Sequence, residues 1–380
     1  MVLRSMLRLP LLSLCALTCA QAGQTFRPLS GAYGPSQDVV IKRPCLRLEI
    51  WASDGREVTV SEMRVDGQVV PATYSTKDRA LLYPCDKPLP EGEHAVECRV
   101  GFSGTPVYKT GWKFRVLPDA IDGFPAANPD QTQALKIING YRRRLKLADM
   151  VGDPVLDLAA AGHSDYCAKN NVLGHVERPG LPGFTGQTSL ERLARLGWIG
   201  ISFEGMTSGE ETLEGALASL FDSPYHRLPF IQPGAVAFGS GRSKAMTTIE
   251  VGGATEAGTV TSPGEDQTEV PTSWGRIESP DPLRIHPDAN LPLGYPIVVA
   301  LFGPDRHLTG FTATLKTAAG KDVPVFLNTP ENDNEITTQA FVIPKDPLAP
   351  KTTYEIAIKA TDEKGTPIEK TWRFTTASKH

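Results

Sequence analysis

The spacing of hydrophobic residues changes twice along the 380-residue chain, and this change limits the fold more than any other feature. Segments near both ends alternate apolar and polar residues, as in Cys45–Trp51 and Tyr354–Lys359. Such alternation is typical of half-buried strands. Between them, apolar residues recur at helical spacing, as in Leu213–Phe221, which indicates a helix with one buried side. The pattern therefore predicts an α+β chain with β-rich ends and a largely helical middle.

The two β-rich ends also resemble each other directly. Gly104-Thr-Pro-Val followed by Trp112-Lys-Phe parallels Gly365-Thr-Pro-Ile followed by Trp372-Arg-Phe. We therefore predict a small antiparallel β-sandwich of about seven strands at each end. Both sandwiches resemble bacterial immunoglobulin-like modules, and this resemblance implies a role as spacers or adhesive units.

Helix-start signals divide the middle of the chain. Asn128-Pro129 and Asp153-Pro154 each place a capping residue before a proline, which is a typical beginning of a helix. Thr188–Glu191 and Ser208–Glu211 have the pattern of capping boxes. We divide the chain into a signal peptide (1–22), an N-terminal β-sandwich domain (23–117), a central α+β domain (125–253), a Pro/Thr/Ser-rich linker (254–280) and a C-terminal β-sandwich domain (281–380).

The N-terminus has the organisation of a secretory signal peptide. Arg4 and Arg8 precede the apolar run Leu9–Ala20, and Ala20-Gln-Ala22 supplies small residues at the expected cleavage site. The run is shorter than the ~20 residues that span a bilayer. We predict cleavage after Ala22, an exported protein (secreted or periplasmic), and no transmembrane segment after cleavage.

Cleavage would leave four cysteines, and an exported protein can form disulfides. We favour a disulfide between Cys45, which opens one strand, and Cys85, which closes another that could run antiparallel beside it. Cys98 is then a buried thiol, and a Cys45–Cys98 disulfide is the alternative. Cys167 lies among apolar residues of a helix, where free cysteines are usually inert.

Composition and motifs argue against nucleic-acid binding, a nucleotide cofactor and a serine nucleophile. The formal net charge of −4 argues against nucleic acid as a partner, because phosphates need a basic patch. No Gly-rich loop follows a predicted strand, so a nucleotide cofactor is not expected. Neither Ser164 nor Ser223 lies in the G-x-S-x-G pattern of a hydrolase nucleophile.

Three histidines and one glutamate of the middle domain are the candidate functional residues. His175 and His226 follow helix ends, where functional side chains concentrate, and Glu204 lies between them in the sequence. Two imidazoles and a carboxylate could bind a zinc-like ion, or act as acid and base on a bound water. His163 shares the apolar side of its helix, and the structural alternative for it is a hydrogen-bonded core residue.

The order of these residues resembles a bacterial CAP (SCP-like) domain, of the cysteine-rich secretory, antigen 5 and pathogenesis-related superfamily. The resemblance spans about Asp130 to Gly253 and rests on several short segments in the right order: Asn139–Arg142, His163–Tyr166, Gly174-His175, Glu204, Ser223–Arg227 and Gly239–Gly241.

The resemblance implies an α-β-α sandwich, secretion, and a cleft whose His and Glu residues often hold a divalent metal. His175 matches the family's first cleft histidine, and Glu204 matches the glutamate of its G-E-N signature, here flanked by Phe203 and Gly205. The second cleft histidine has no counterpart in 245–253, and His226 of the bacterial S-P-x-H-R element is its candidate substitute.

The sequence thus predicts an exported CAP-domain protein that binds a ligand in a His/Glu-lined cleft. The candidate metal ligands are His175, Glu204 and His226, with His163 as a weaker one, and zinc is the candidate metal. The partner would be a small ligand, a peptide or a cell-wall component. One alternative is a hydrolase of peptide or cell-wall material that uses the same residues. The other is an adhesion or scaffold protein without catalytic activity, and the departures from the family pattern favour binding over catalysis.

Overall fold

The computed structural model of the chain describes residues 33–52, 54–76, 79–198, 200–253, 256–275, 278–303 and 307–378. The predicted signal peptide 1–22 and its cleavage site after Ala22 lie outside the described residues. No helix in the described ranges is long and apolar enough to cross a membrane.

The N-terminal β-sandwich consists of two sheets around one core. Its strands are β1 (Tyr33–Gly34), β2 (Asp38–Ile41), β3 (Cys45–Glu49), β4 (Val58–Val65), β5 (Gln68–Val70), β6 (Thr73–Ser75), β7 (Ala80–Pro84), β8 (Gly92–Phe102) and β9 (Tyr108–Ile121). One sheet has the order β1-β3-β7-β6 and the other β2-β9-β8-β4-β5. Inward-facing apolar residues of both sheets, such as Leu46 and Val96, share the core, as the period-two pattern predicts.

The middle of the chain is a helical domain around a four-stranded sheet. Its elements are α1 (Pro129–Arg144), β10 (Val151–Gly152), α2 (Pro154–Asn170), α3 (Ser189–Arg195), β11 (Ser202–Ser208), α4 (Leu213–Asp222), α5 (Pro224–Phe230), β12 (Ala237–Ser243) and β13 (Met246–Gly252). The sheet order is β10-β12-β13-β11, so β11 is an edge strand.

The C-terminal β-sandwich repeats the N-terminal one. Its strands are β14 (Gly258–Ser262), β15 (Gln267–Val270), β18 (Ile297–Phe302), β19 (Thr309–Thr317), β20 (Asp322–Val323), β21 (Val325–Asn328), β22 (Gln339–Pro344), β23 (Thr353–Thr361) and β24 (Pro367–Thr376). A two-stranded ribbon of β16 (Ser273–Trp274) and β17 (Leu293–Gly294) and a 3₁₀ turn (Pro282–Ile285) are inserted between β15 and β18.

The two sandwiches have the same topology. The C-terminal sheets have the orders β14-β18-β22-β21 and β15-β24-β23-β19-β20, which correspond strand by strand to the N-terminal sheets. The internal repeat in the sequence is therefore present in the fold. Each sandwich has nine strands in its described residues rather than about seven, and each contains one parallel pair, β2–β9 and β15–β24. The immunoglobulin-like assignment stays a prediction.

The linker predicted at 254–280 is wrong as a structural description. Strand β14 pairs with β18, and β15 pairs with β24, so the segment supplies two strands of the C-terminal sandwich. Short strands rich in Thr and Glu lack a continuous apolar pattern, which is why their composition resembles a connector.

The predicted helix starts at Asn128 and Thr188 are confirmed, because both side chains cap the following helices. The predicted capping box at Ser208–Glu211 is wrong: Ser208 ends strand β11, and Thr212 caps α4 by accepting from the Gly215 amide.

Helices lie on both faces of the central sheet, as expected for an α-β-α sandwich. Helix α2 contacts one face of β12 so closely that a Cβ at Gly239 or Gly241 would come within 2.2 Å of α2 backbone atoms. On the opposite face, Phe238 and Ile249 share a core with residues of α1 and α4. The glycines of the Gly239-Ser-Gly241 segment are thus required by the approach of the helix.

The two sandwiches pack on different sides of the central domain. Leu156 and Leu193 of α2 and α3 belong to the core of the N-terminal sandwich. Phe230 of α5 belongs to a core that also contains Val298 and Phe341 of the C-terminal sandwich. Shared apolar cores of this kind hold neighbouring domains in a fixed arrangement.

The four cysteines of the described residues are free thiols, so the predicted Cys45–Cys85 disulfide is absent from the structure. Cys45 is exposed, whereas Cys85 and Cys98 are buried in the N-terminal sandwich. Burial, followed by the nearby Cys45 thiol, raises the pKa of Cys85 to about 12. Cys167 is buried on α2, as predicted.

Candidate functional site

A cavity of about 470 Å³ opens along the edge strand β11. Its lining includes two of the predicted site residues together with hydroxyl, carboxyl and apolar groups: His175, Met206, Ser219, Ser223, His226 and Glu278. Sites that combine apolar surface with a few placed polar groups are typical of ligand binding.

His175 is the most exposed of the predicted site residues. It follows α2 by a short loop that begins at Asn171, whose left-handed backbone ends the helix. Its Nδ1 lies 2.8 Å from Oε1 of Glu204 on β11, and the side chains are 52% and 3% exposed, respectively. A carboxylate at this nitrogen stabilises the tautomer with hydrogen on Nδ1 and leaves Nε2 as an acceptor. The structure therefore brings together two of the three predicted residues.

Glu204 is stabilised as an anion by a buried arginine. Arg192 of α3 forms a salt bridge to Oε2 of Glu204, and it also donates to the backbone oxygens of His175 and Gly186, both at 3.3 Å. Burial alone would raise the pKa of Glu204, but the His175 hydrogen bond and the Arg192 charge lower it below its ordinary value. The carboxylate behind His175 is thus charged.

A second buried glutamate lies directly opposite Glu204 on the neighbouring strand. Glu250 of β13 is the cross-strand partner of Glu204, and Ser189 donates to it at 2.8 Å. Burial, followed by repulsion from Glu204, raises the pKa of Glu250 well above its ordinary value. Like charges directly opposite each other in a sheet are unfavourable, so Glu250 keeps its proton to a higher pH than an ordinary glutamate.

His163 is a core residue that holds the loop before α3. The side chain is fully buried, with Nδ1 at 2.9 Å from Oε1 of Glu177 and Nε2 at 3.1 Å from the Gly174 oxygen. Glu177 in turn accepts from the amide and the hydroxyl of Thr185. Both nitrogens of His163 are therefore engaged, which agrees with the structural alternative.

His226 approaches β11 from the face opposite to Glu204. Side chains of neighbouring residues in a strand point to opposite faces, and a Cβ at Gly205 would meet the side chains of Ile249 and His226. Nδ1 of His226 lies 2.7 Å from Oε2 of Glu278, which is only 2% exposed. His226 is thus a second imidazole with a carboxylate at Nδ1, and it lines the same cavity as His175.

This geometry does not assemble the predicted metal ligands into one cluster. No group of three or more His, Cys, Asp or Glu residues in the described part of the chain could hold a metal ion. Both oxygens of Glu204 are engaged by His175 and Arg192, and His226 lies across the strand with Glu278 as its partner. Tight zinc sites use three or four protein ligands, so the set His175, Glu204 and His226 does not fit one.

Four charged residues of the site are not identified by the sequence analysis. Arg192 lies in a short helix whose basic residues look like surface positions, and Glu177 lies in a loop without a pattern. Glu250 interrupts a β-strand of buried residues, which is a signal that could have been used. Glu278 lies in 254–280, whose composition is typical of a linker. The missed residues are Glu177, Arg192, Glu250 and Glu278.

The class of the central domain is shown by its match to a known family. Residues 135–249 match the sequence profile of the Cysteine-rich secretory protein family, CAP. The middle of the chain is therefore a CAP domain, as the sequence predicts.

A comparison with solved structures finds matches that include two bacterial proteins. An outer surface protein from Borrelia burgdorferi is 19% identical, with 35% of this chain and 98% of that chain covered and a TM-score of 0.29. An extracellular protein containing a SCP domain from Bacillus anthracis str. Ames is 16% identical, with 60% and 88% covered and a TM-score of 0.30. A comparison with curated proteins finds no match.

Proposed function

We propose that this chain is an exported CAP-domain protein that binds a ligand in the cavity beside β11. One observation carries the proposal: two imidazoles, each with a buried carboxylate at Nδ1, line a single open cavity from the two faces of one strand. Imidazoles oriented in this way present Nε2 as a fixed hydrogen-bond acceptor. Fixed polar groups in a partly apolar cavity give a ligand its orientation.

A peptide is the class of ligand that this arrangement supports best among those that the sequence suggests. Strand β11 is the last strand in its sheet, and no described strand pairs with its outer edge. An extended peptide can add to such an edge through main-chain hydrogen bonds. The Ser219 side chain in the lining adds a hydroxyl group for a further polar contact, whereas the Ser223 hydroxyl donates to the Ser219 backbone oxygen at 2.9 Å. The peptide stems of cell-wall material have this chemistry.

Calorimetric titration of the mature protein with soluble muropeptides, their isolated stem peptides and their isolated glycans tests this proposal. We expect the stem peptides to bind, and the His175→Ala and His226→Ala variants to bind at least about tenfold more weakly, because each loses one or two polar contacts. His286→Ala, whose ring contacts Asn328 in the C-terminal half, is the control. Binding that is equal in all variants would place the ligand elsewhere and favour the adhesion or scaffold role.

Weak binding of a divalent metal stays a separate prediction, because two imidazole nitrogens are fewer than the three or four ligands of a tight zinc site. The imidazole nitrogens left for it are Nε2 of His175 and Nε2 of His226, since both Nδ1 atoms face carboxylates. Titration of zinc into the wild type and into the His175→Ala/His226→Ala double variant tests it. Equal heats in both proteins would eliminate the metal from this cleft.

Catalysis is a second candidate function, favoured by the His175–Glu204 pair. An imidazole with a buried carboxylate at Nδ1 can take a proton from water at Nε2, as general bases do. Turnover of peptidoglycan or of a peptide library that is abolished in Glu204→Gln would support a hydrolase. Turnover that persists in Glu204→Gln would exclude this pair as its acid–base group.

A further inference from the structure

Glu278 belongs to the cleft although it lies outside the residues that match the CAP family. The match ends at residue 249, and Glu278 follows the strand β16 of the inserted ribbon. Its carboxylate is nevertheless 2% exposed, and it lines the cavity with Ser279 and His226. Burial of a charged side chain at this place requires partners that compensate its lost hydration.

The first residues of α5 supply those partners. Oε2 of Glu278 faces Nδ1 of His226 at 2.7 Å and accepts from the His226 amide at 3.2 Å. Oε1 accepts from the Tyr225 amide, also at 3.2 Å. A carboxylate only accepts hydrogen bonds, so Nδ1 of His226 must carry a hydrogen to form this contact. In the neutral ring, the contact therefore selects the tautomer in which Nε2 is free of hydrogen.

The residues on either side of His226 also form hydrogen bonds with the C-terminal region. The Tyr225 hydroxyl contacts Asp333, and Arg284 donates to that hydroxyl at 2.7 Å. Arg227 is fully buried and donates to the Pro296 oxygen at 2.8 Å and the Ser262 oxygen at 3.2 Å. Every residue from 225 to 227 therefore binds chain that lies beyond the CAP-matched range.

We propose that Glu278 is a positioning residue of the cleft, so that the C-terminal region completes the binding site by fixing the orientation and tautomer of His226. The inference rests on the proposed function only for its consequence in ligand binding. The cleft is then a composite of the CAP domain and the C-terminal region, and its second imidazole depends on a carboxylate that the CAP domain does not contain.

Nuclear magnetic resonance tests this proposal, because the ¹⁵N chemical shifts of the His226 ring report which ring nitrogen carries the hydrogen. The shifts are measured in the full mature chain near pH 8, where ordinary imidazoles are neutral. We expect the Nδ1–H form in the wild type. In Glu278→Ala, the ratio of Nδ1–H to Nε2–H should fall by about tenfold or more, because hydrogen bonds to charged groups are worth at least that factor. Glu278→Gln retains an acceptor oxygen, so its ratio should lie between the two.

Tyr225→Phe is the matched control, because it removes the contacts with Asp333 and Arg284 but leaves both contacts of His226 with Glu278. A merely structural role of the segment would change His226 equally in Glu278→Ala and Tyr225→Phe. That outcome, or an Nδ1–H form that persists in Glu278→Ala, would overturn the proposal.

The same variants separate this proposal from the proposed function. If the stem peptides bind the wild type, their affinity should fall about tenfold in Glu278→Ala and stay unchanged in Tyr225→Phe. If no peptide binds, the proposed function fails, but the ring shifts still decide whether Glu278 positions His226.

Discussion

Replacement of Arg192 by methionine tests the electrostatic account of the site. Arg192 is 1% exposed, and its guanidinium lies between Glu204 and Glu177, with a Glu177 contact of 3.8 Å. Removal of one partner from a buried ion pair leaves a charge without compensation, which typically costs about 3–5 kcal/mol. We therefore expect Arg192→Met to lower the free energy of unfolding by about that amount at neutral pH.

The expected cost depends on pH because the pKa of Glu204 is lowered in the folded protein. The stability that Glu204 contributes is present above its unfolded pKa and is lost as the pH falls through its folded pKa. Without Arg192 this contribution should shrink, so the difference between variant and wild type should be smaller near pH 4 than near pH 8. Urea denaturation at both pH values measures the two differences.

Arg195→Met is the matched control on the same helix. Arg195 donates to the Thr185 oxygen at 2.9 Å and forms no ion pair with any residue that the structure describes, so the variant should lose about 0.5–1.5 kcal/mol at either pH. An Arg192→Met cost no larger than that of Arg195→Met, or independent of pH, would refute the buried ion pair.

Three further predictions concern residues around the site and in the N-terminal sandwich. The raised pKa of Glu250 gives stability that is present below its unfolded pKa and is lost as the pH rises through its folded pKa. Glu250→Gln should therefore flatten the decline of unfolding free energy above about pH 4.3, the ordinary pKa of a glutamate, by at most about 1.4 kcal/mol per pH unit. An unchanged slope would contradict this. Gly241→Ala places a Cβ 2.1 Å from the Ala161 amide nitrogen. It should lower the free energy of unfolding, measured by urea denaturation, by about the 1–3 kcal/mol typical of overpacking. A free energy of unfolding equal to that of the wild type would show that α2 can move away. Burial raises the pKa of the Cys85 thiol to about 12, and the thiolate is the form that reacts. We therefore expect Cys85 to stay a free thiol when the protein is treated with mild oxidants. Peptide mapping under non-reducing conditions that finds Cys85 in a disulfide would contradict this.

The sequence predicts the elements of the CAP domain because their signals are local. Asn128 and Thr188 mark helix starts through side chains that bind the next turn, and the Leu213–Phe221 pattern follows from one buried helix face. Ser208 shows the limit of such reasoning, because Thr212 competes for the same role, and β11 extends to Ser208 by pairing with Met246 of β13.

The site was harder to predict because it is built by contacts between distant residues. His175 and Glu204 are identified by their match to the family, and they meet as expected. The pairing of His226 with Glu278 spans 52 residues and crosses from the CAP domain into the following segment. No periodicity reports such a contact, and the polar composition around Glu278 conceals that its carboxylate is buried.

Labelling of histidines with diethyl pyrocarbonate tests the central claim most directly, because the reagent reacts with accessible imidazole nitrogens that carry no proton. Mass spectrometry of the mature protein should find fast labelling at His175, slower labelling at His226 and none at His163, in keeping with side-chain exposures of 52%, 16% and 0%. Complete protection of His226 in the free protein would contradict a single open cavity that contains the imidazoles of His175 and His226. Labelling of His163 at a rate like that of His175 would contradict its assignment as a buried core residue.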